Sequence, residues 1–148
     1  MSNNHDERAM LVLEKAVERA KDQLVKKKFF RPFLMILNNE GIIEIVENEV
    51  LDSIKSYDLL GNMLKERILK EGVDVLVLAV DTLVPEKLSQ DVSSSIRLHL
   101  EEKSQVDKIV SARFLYVPYE LCKIGEGEVF VRLHAPIPLG FPAEYIVK

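Results

Sequence analysis

The segment that most constrains the fold runs from Val73 to Asp81 and has the sequence VDVLVLAVD. Seven of its nine residues are apolar, four of them are valine, and Gly72 and Pro85 bound the run. A run this short and this rich in β-branched side chains is typical of a strand buried on both faces rather than of a helix. The rest of the chain is therefore expected to pair with this strand or to pack on it.

Composition argues against several classes of protein. The 148 residues, 47% apolar and 30% charged, match one ordinary globular domain covering residues 1–148. A net charge of −4 gives no general attraction for phosphate backbones, so no nucleic-acid partner is expected. The single cysteine, Cys122, cannot form an internal disulfide, which fits a reducing compartment. The sequence has neither a signal-peptide core nor an apolar run of about 18 residues, so we predict a cytoplasmic protein without a membrane partner.

Two segments have the apolar period of an amphipathic helix. The first covers residues 6–28, with one face formed by Met10, Leu13, Val17, Ala20 and Leu24. The second covers residues 49–71, with a stripe formed by Val50, Ile54, Tyr57, Met63 or Leu64, and Ile68. Gly61 lowers the helix propensity of this segment by about 1 kcal/mol relative to alanine, so two shorter helices are an alternative.

The last turn of the first predicted helix carries Lys26, Lys27 and Lys28. Cations at this end complement the helix dipole. One interpretation of the lysine run is a patch that binds an anion or a membrane surface, and the other is a solvated helix end. Three lysines are fewer than the clusters that hold lipid surfaces, which favours the solvated end.

Besides the buried segment, strands are predicted at residues 33–37, 42–47, 95–102, 109–117 and 128–134. The first two flank a turn that ends at Gly41 and are expected to form a β-hairpin. A surface loop is predicted over residues 82–95, and the strand after it alternates strictly, which is typical of a half-buried strand with a polar face toward water. Pro118 is expected to end the strand at 109–117.

The order of these elements is helix, strand, strand, helix and then four strands. Strands joined by short turns favour antiparallel pairing. We therefore predict an α+β two-layer domain with two helices packed on one face of a mainly antiparallel sheet of about five to six strands.

The C-terminal residues 135–148 contain three prolines, which favour an extended tail over a helix. The tail still carries apolar side chains, which need a surface to bury them: Ile137, Leu139, Phe141, Tyr145 and Ile146. Two interpretations stay open. The tail wraps its own domain, as tails often do, or it is an arm that contacts a partner subunit.

The motifs of common catalytic and metal sites are not found in the sequence. No glycine-rich loop joins a strand to a helix, and no serine lies in a G-x-S-x-G context. The histidines lack the spacing of a zinc site. We therefore assign no catalytic residue, metal or cofactor, and the sequence favours a non-enzymatic protein.

One set of polar residues could carry binding chemistry. Two Arg-x-His patterns have the period of two that keeps both side chains on one side of a sheet. If their strands converge, they could bind a carboxylate or phosphate, with Arg113 added and Asp81 or Glu101 orienting the imidazoles. The predicted ligand-binding set is Arg97, His99, Arg113, Arg132, His134 and Asp81. The alternative is the solvated face of an antiparallel sheet.

Several short motifs resemble a family of small uncharacterised bacterial proteins. They are Pro32-Phe33 followed by Gly41, a strand ending in Asp81, Ser95-Ile96-Arg97 with Leu100-Glu101, and Pro118-Tyr119. The chain departs from the family pattern at Ser95, where alanine is usual, and at Glu102, where histidine is usual. The resemblance implies a bacterial α+β domain, and it implies no activity because the family has none assigned.

Two functions are weighed. The first is a non-catalytic interaction domain, either a homodimer or an inhibitor of another protein of the immunity type, with the tail as its partner-binding surface. The second is a binder of, or simple enzyme on, a small anionic ligand at the Arg–His face. The lack of any catalytic motif, the acidic balance and the apolar tail favour the first.

Overall fold

The structure is a computed structural model, and it describes residues 4–70, 72–88 and 92–147. Within these residues the chain forms two helices, seven strands and two short 3₁₀ turns. In chain order they are α1 (Asn4–Lys27), β1 (Phe33–Asn38), β2 (Ile43–Val46), α2 (Ser53–Lys70), β3 (Val73–Leu83), a 3₁₀ turn (Glu86–Leu88), β4 (Ser94–Glu102), a second 3₁₀ turn (Lys103–Gln105), β5 (Ala112–Ile124), β6 (Glu128–Leu133) and β7 (Ile137–Phe141). The predicted order of elements is confirmed, and β7 is an additional strand inside the predicted tail.

The seven strands form one antiparallel sheet in the order β2-β1-β3-β4-β5-β6, and β7 also pairs with β5. The apolar segment of the sequence is the central strand β3, where Val77 lies opposite Met35 of β1 and Leu100 of β4. Its neighbouring residues Leu76 and Leu78 have no solvent exposure, and neither has Val77. Because successive side chains of a strand point to opposite faces, β3 is buried on both faces, as predicted.

The predicted class is confirmed, since two helices pack on a mainly antiparallel sheet. The distribution of the helices differs from the two-layer expectation. Helix α1 packs on the face that carries Val77 and Leu98, and α2 packs on the face that carries Leu76 and Leu78. Each face of the sheet thus holds one helix, because a central strand that is apolar on both sides needs cover on both sides.

Helix α2 is continuous from Ser53 to Lys70, so the alternative of two shorter helices is not what the structure shows. Its buried side is also rotated from the predicted stripe, because Leu60 is buried while Ile54 is 75% exposed. The mid-helix glycine has a steric reason. A Cβ atom at Gly61 would lie 2.9 Å from the hydroxyl oxygen of Tyr145, so a larger residue at this position would require the Tyr145 side chain to shift. The last residue of the predicted helix, 71, lies outside the described residues.

The two predicted strands of the first hairpin pair as expected, with Met35 opposite Ile45. The Oδ1 atom of Asn38 accepts hydrogen bonds from the backbone N–H groups of Glu40 and Ile42. Gly41 supplies the positive φ of 82° that this turn requires. The predicted surface loop at 82–95 contains residues 89–91, which are outside the described ranges. Both of its ends need correction, because β3 continues to Leu83 and β4 begins at Ser94.

Two strand predictions need correction. Strand β4 is buried on both faces, because α2 and the C-terminal segment cover the side that was expected to meet water. Strand β5 begins at Ala112 and continues through Pro118 to Ile124. Proline is tolerated there because pairing with β4 ends at the pair Ser95–Pro118, and β6 takes over from Tyr119 onward.

Candidate functional site

Arg97 and His99, two of the predicted ligand-binding residues, lie side by side on the α2 face of β4. The Arg97 guanidinium donates a hydrogen bond from Nη2 to the Tyr57 hydroxyl at 2.8 Å and lies 4.4 Å from the centre of the Phe114 ring. Its Nε atom is buried and has no hydrogen-bond partner among the described residues. The positive charge of Arg97 is therefore stabilised mainly by cation–π contacts with the rings of Tyr57 and Phe114.

The imidazole of His99 is only 1% exposed and is occupied by contacts within the chain. Its Nε2 atom lies 2.6 Å from Oε2 of Glu101, and its ring lies 5.1 to 5.4 Å from three aromatic rings. Those rings belong to Phe114, Phe141 and Tyr145. The predicted role of Glu101 in orienting an imidazole matches this contact, but the pair is enclosed in the core.

The other four predicted residues do not join Arg97 and His99. Asp81 lies on the α1 face, where its carboxylate accepts a hydrogen bond from the Tyr119 hydroxyl at 2.7 Å. Arg113 is exposed and lies across from Leu100, which also belongs to the α1 face.

The remaining two predicted residues lie at and beyond the end of β6. Arg132 is exposed, and His134 contacts Oε2 of Glu120 at 2.8 Å. No hydrogen bond between described side chains joins either of them to Arg97 or His99. The two Arg-x-His patterns therefore do not form one site.

The carboxylate of Glu101 holds the C-terminal tail on the sheet through three hydrogen bonds. Its Oε1 atom accepts the backbone N–H groups of Tyr145 at 3.0 Å and Ile146 at 2.8 Å, and its Oε2 atom accepts that of Glu144 at 3.0 Å. Three successive N–H groups that surround one anion form a nest of backbone donors. Here the anion is the chain's own carboxylate, and the bonds are charge-assisted.

The tail residues predicted to bind a partner lie on the chain's own domain. Ile137, Leu139 and Phe141 belong to β7, whose neighbour is the first half of β5. The ring of Tyr145 packs on His99, and Ile146 is buried in the core under α2. Of the five, Leu139 is the one with a largely exposed side chain.

The pKa of Glu101 determines how this arrangement responds to acid. Burial raises the pKa of the carboxyl, but hydrogen bonds from His99 and from the backbone of Ile146 and Glu144, with the electrostatic attraction of His99, hold it below the ordinary glutamate value. A carboxyl with a lowered pKa in the folded state stabilises the fold above its unfolded pKa. That stabilisation is lost as the pH falls through the folded value.

We therefore expect the free energy of unfolding to fall as the pH is lowered below about 5, and to fall less in Glu101→Gln. The measurement is urea unfolding at several pH values between neutral and acid. Glu44→Gln is the control, because the pKa of Glu44 is also lowered, but by a hydrogen bond from Arg67 at the exposed surface. A Glu101→Gln profile as steep as that of the unchanged chain would contradict the assignment.

The structure has an apolar groove on the α1 face that is not among the sites predicted from the sequence. It lies between α1, the middle of β4 and β5, and the end of β6, and has a volume of about 460 Å³. Its apolar lining is Met10, Leu13, Val17, Leu98, Leu115, Val117, Leu133 and Pro136, and its rim is Glu14, Glu18 and Lys21. Met10 was predicted to face the core but is 54% exposed, because Val12 and Ala16 occupy the centre of the helix contact.

The signal for this groove was present in the sequence. Besides the predicted stripe, α1 has apolar residues at positions 9, 12 and 16. An apolar arc that wide cannot be covered by one sheet face alone.

The apolar surface continues beyond the groove along the β5–β6 hairpin. After Pro118, β5 pairs with β6, and the hairpin ends in a turn where Gly125 and Gly127 have positive φ. Leu121 lies on the same side of β5 as the buried residue Tyr119 and is itself exposed. Leu121 is thus an exposed apolar residue on the same face of the sheet as the groove.

Comparisons with known proteins identify no relative: no family model, no curated protein and no solved structure matches the chain. None of the described helices has the length and apolar character needed to cross a membrane. Within the described residues no cluster of three or more His, Cys, Asp or Glu side chains is arranged to hold a metal ion.

Proposed function

We propose that this chain is a non-catalytic interaction domain that forms a homodimer through the apolar groove on the α1 face. The observation that carries the proposal is the groove itself, which is lined by eight apolar residues, among them Met10, which is 54% exposed. Exposed apolar surface that continues over several elements is typical of a protein–protein contact.

The charges at the groove rim favour a second copy of the chain as the occupant. In a two-fold dimer the same patch packs on itself, so its charges must complement each other. Two α1 helices that cross antiparallel, with the axis between Val17 and Glu18, place Glu14 of one copy opposite Lys21 of the other. The symmetry repeats this pair, which gives two attractive contacts, and it places Val17 and Glu18 of both copies next to the axis, so that the two Glu18 carboxylates have to point toward water.

The proposal replaces the tail by the groove as the binding surface, because the tail is occupied on its own domain. It keeps the cytoplasmic location, which the lone thiol of Cys122 supports. It also retains the proposed relation to the small bacterial proteins of unassigned activity. The role proposed for this chain is self-association rather than catalysis.

Met10→Glu is expected to weaken the dimer by at least about tenfold, because a charge would have to be buried without a partner. The measurement is native mass spectrometry and sedimentation over a range of protein concentrations. Met63→Glu is the matched control, since Met63 is a similarly exposed methionine on α2, away from the groove. A full-length protein that stays monomeric at high micromolar concentration would refute the proposal.

Charge reversal tests the arrangement of the two helices. Glu14→Lys alone should weaken the dimer, and Glu14→Lys combined with Lys21→Glu should restore it, because the antiparallel pairs reform with exchanged signs. A double variant that is as weak as the single one would show that the groove is used in a different geometry.

A further inference from the structure

A second concave surface, the basic cleft, lies at the opposite end of α1 from the N-terminus. It is formed by the C-terminal half of α1, the segment that leads into β1 and the residues after β2, and it has a volume of about 460 Å³. Clefts of roughly 300–1,000 Å³ are typical of small-molecule sites. Its walls include Arg19, Gln23, Lys27, Phe29, Arg31 and Glu49.

The cations of the cleft are not equally available. Arg19 donates from Nε to Oε1 of Glu47 at 2.9 Å, so these two charges neutralise each other. Neither Lys27 nor Arg31 has a hydrogen bond or ion pair among the residues that the structure describes. These two cations share the cleft with Glu49, the lining carboxylate that remains once Glu47 has paired with Arg19, and they do so in a chain whose net charge is −4.

The chain turns sharply at the end of α1, and this turn brings the side chains of Phe29 and Arg31 to the cleft. Lys28 has a positive φ of 69°, and its N–H bonds to the carbonyl of Leu24 at 2.8 Å. This left-handed cap ends the helix and satisfies the carbonyl of Leu24, and the negative end of the helix dipole is met by the lysines of the last turn. Phe29 follows and is 51% exposed at the cleft wall.

We propose that the basic cleft binds a small ligand in which a carboxylate or phosphate is attached to a planar ring. The Arg31 guanidinium offers two parallel N–H donors to the anionic group, and Lys27 adds a point charge. The exposed ring of Phe29 is placed to stack with the ring of the ligand. Of the lysine run singled out in the sequence, Lys27 thus belongs to the wall of a pocket, whereas Lys26 and Lys28 are exposed and outside its lining.

A small molecule is favoured over a membrane surface because the charges line a concavity. The sequence analysis places a small anionic ligand at the Arg–His face, but the basic cleft is the better site for such a ligand. His99 is enclosed in the core, whereas Lys27 and Arg31 line an open cleft. This inference is independent of the proposed dimer, because the basic cleft and the apolar groove share no lining residue.

The test is a ¹H–¹⁵N NMR titration of the full-length protein with phenyl phosphate and with benzoate, which separate the two anionic groups. Inorganic phosphate and benzyl alcohol each supply one half of the proposed ligand. We expect saturable shifts at residues 27–31, 33 and 47–49 with at least one of the two complete probes, and binding at least about tenfold weaker for each half. Saturable binding of neither complete probe would overturn the proposal.

Two substitutions assign the binding to the proposed residues. Arg31→Ala should lower the affinity for the complete probe at least about tenfold. Arg113→Ala changes an exposed arginine outside the cleft and should leave that affinity unchanged. Phe29→Ala should remove the advantage of the ring while anion binding is retained. Equal effects of Arg31→Ala and Arg113→Ala would mean general attraction to positive charge and would overturn the site. Because Arg31 makes no hydrogen bond among the described residues, its loss should not unfold the protein.

Discussion

Replacing Glu101 by alanine is expected to lower the free energy of unfolding by about 3–5 kcal/mol, which is a large part of the stability of an ordinary domain. The carboxylate is buried and accepts hydrogen bonds from three backbone N–H groups and from His99. Its removal leaves these donors without a partner in a site that is part-buried at Glu144 and buried at Ile146, and each unsatisfied buried group costs roughly 1–3 kcal/mol. The substitution also opens a cavity next to the Tyr145 ring.

Urea unfolding at neutral pH measures the loss of stability, and amide hydrogen exchange shows which part of the chain is destabilised. The backbone amides of Glu144, Tyr145 and Ile146 should lose protection before the rest of the sheet, because they are the donors that Glu101 holds. Glu120→Ala is the matched control, since Glu120 also contacts a histidine but at the surface, where such pairs contribute about 0–1 kcal/mol. A loss below about 1 kcal/mol for Glu101→Ala would show that the tail is fastened by other contacts.

Local patterns in the sequence were sufficient for most of the elements. The run of valines in β3, the turn that ends at Gly41 and the helical period of α1 are each determined by neighbours within a few positions. These signals predict which element forms, because they reflect backbone preference and the period of apolar side chains. They do not determine which element covers which face of a sheet.

The buried role of Glu101 could not be predicted for that reason. In β4 the sequence alternates Ile96, Arg97, Leu98, His99, Leu100 and Glu101, which is the pattern of a strand with one face in water. The polar side is buried by a segment more than 40 residues further along the chain, and no local pattern reports such a contact. The same limit explains why the two Arg-x-His patterns were expected to converge.

Removing residues 135–148 is expected to lower the free energy of unfolding by about 5 kcal/mol or more, so that little cooperative folding remains. The deletion takes away β7 and its pairing with β5, the three donors of Glu101 and the buried side chain of Ile146. Circular dichroism during urea unfolding measures the loss. If the tail were instead an arm for a partner subunit, the truncated chain would unfold with nearly unchanged cooperativity and would lose only its assembly.

Point substitutions separate these two roles without deleting the strand. Ile146→Ala should cost about 2–5 kcal/mol, the usual range for a buried isoleucine, because the side chain fills the core beneath α2. Val147→Ala is the control, since Val147 is 63% exposed and its change should stay within about 0.5 kcal/mol. Destabilisation by Ile146→Ala with unchanged dimerisation per folded molecule would assign the tail to the fold and leave the groove on α1 as the surface for assembly. The opposite result, unchanged stability with loss of the dimer, would return the tail to the role of a partner-binding arm.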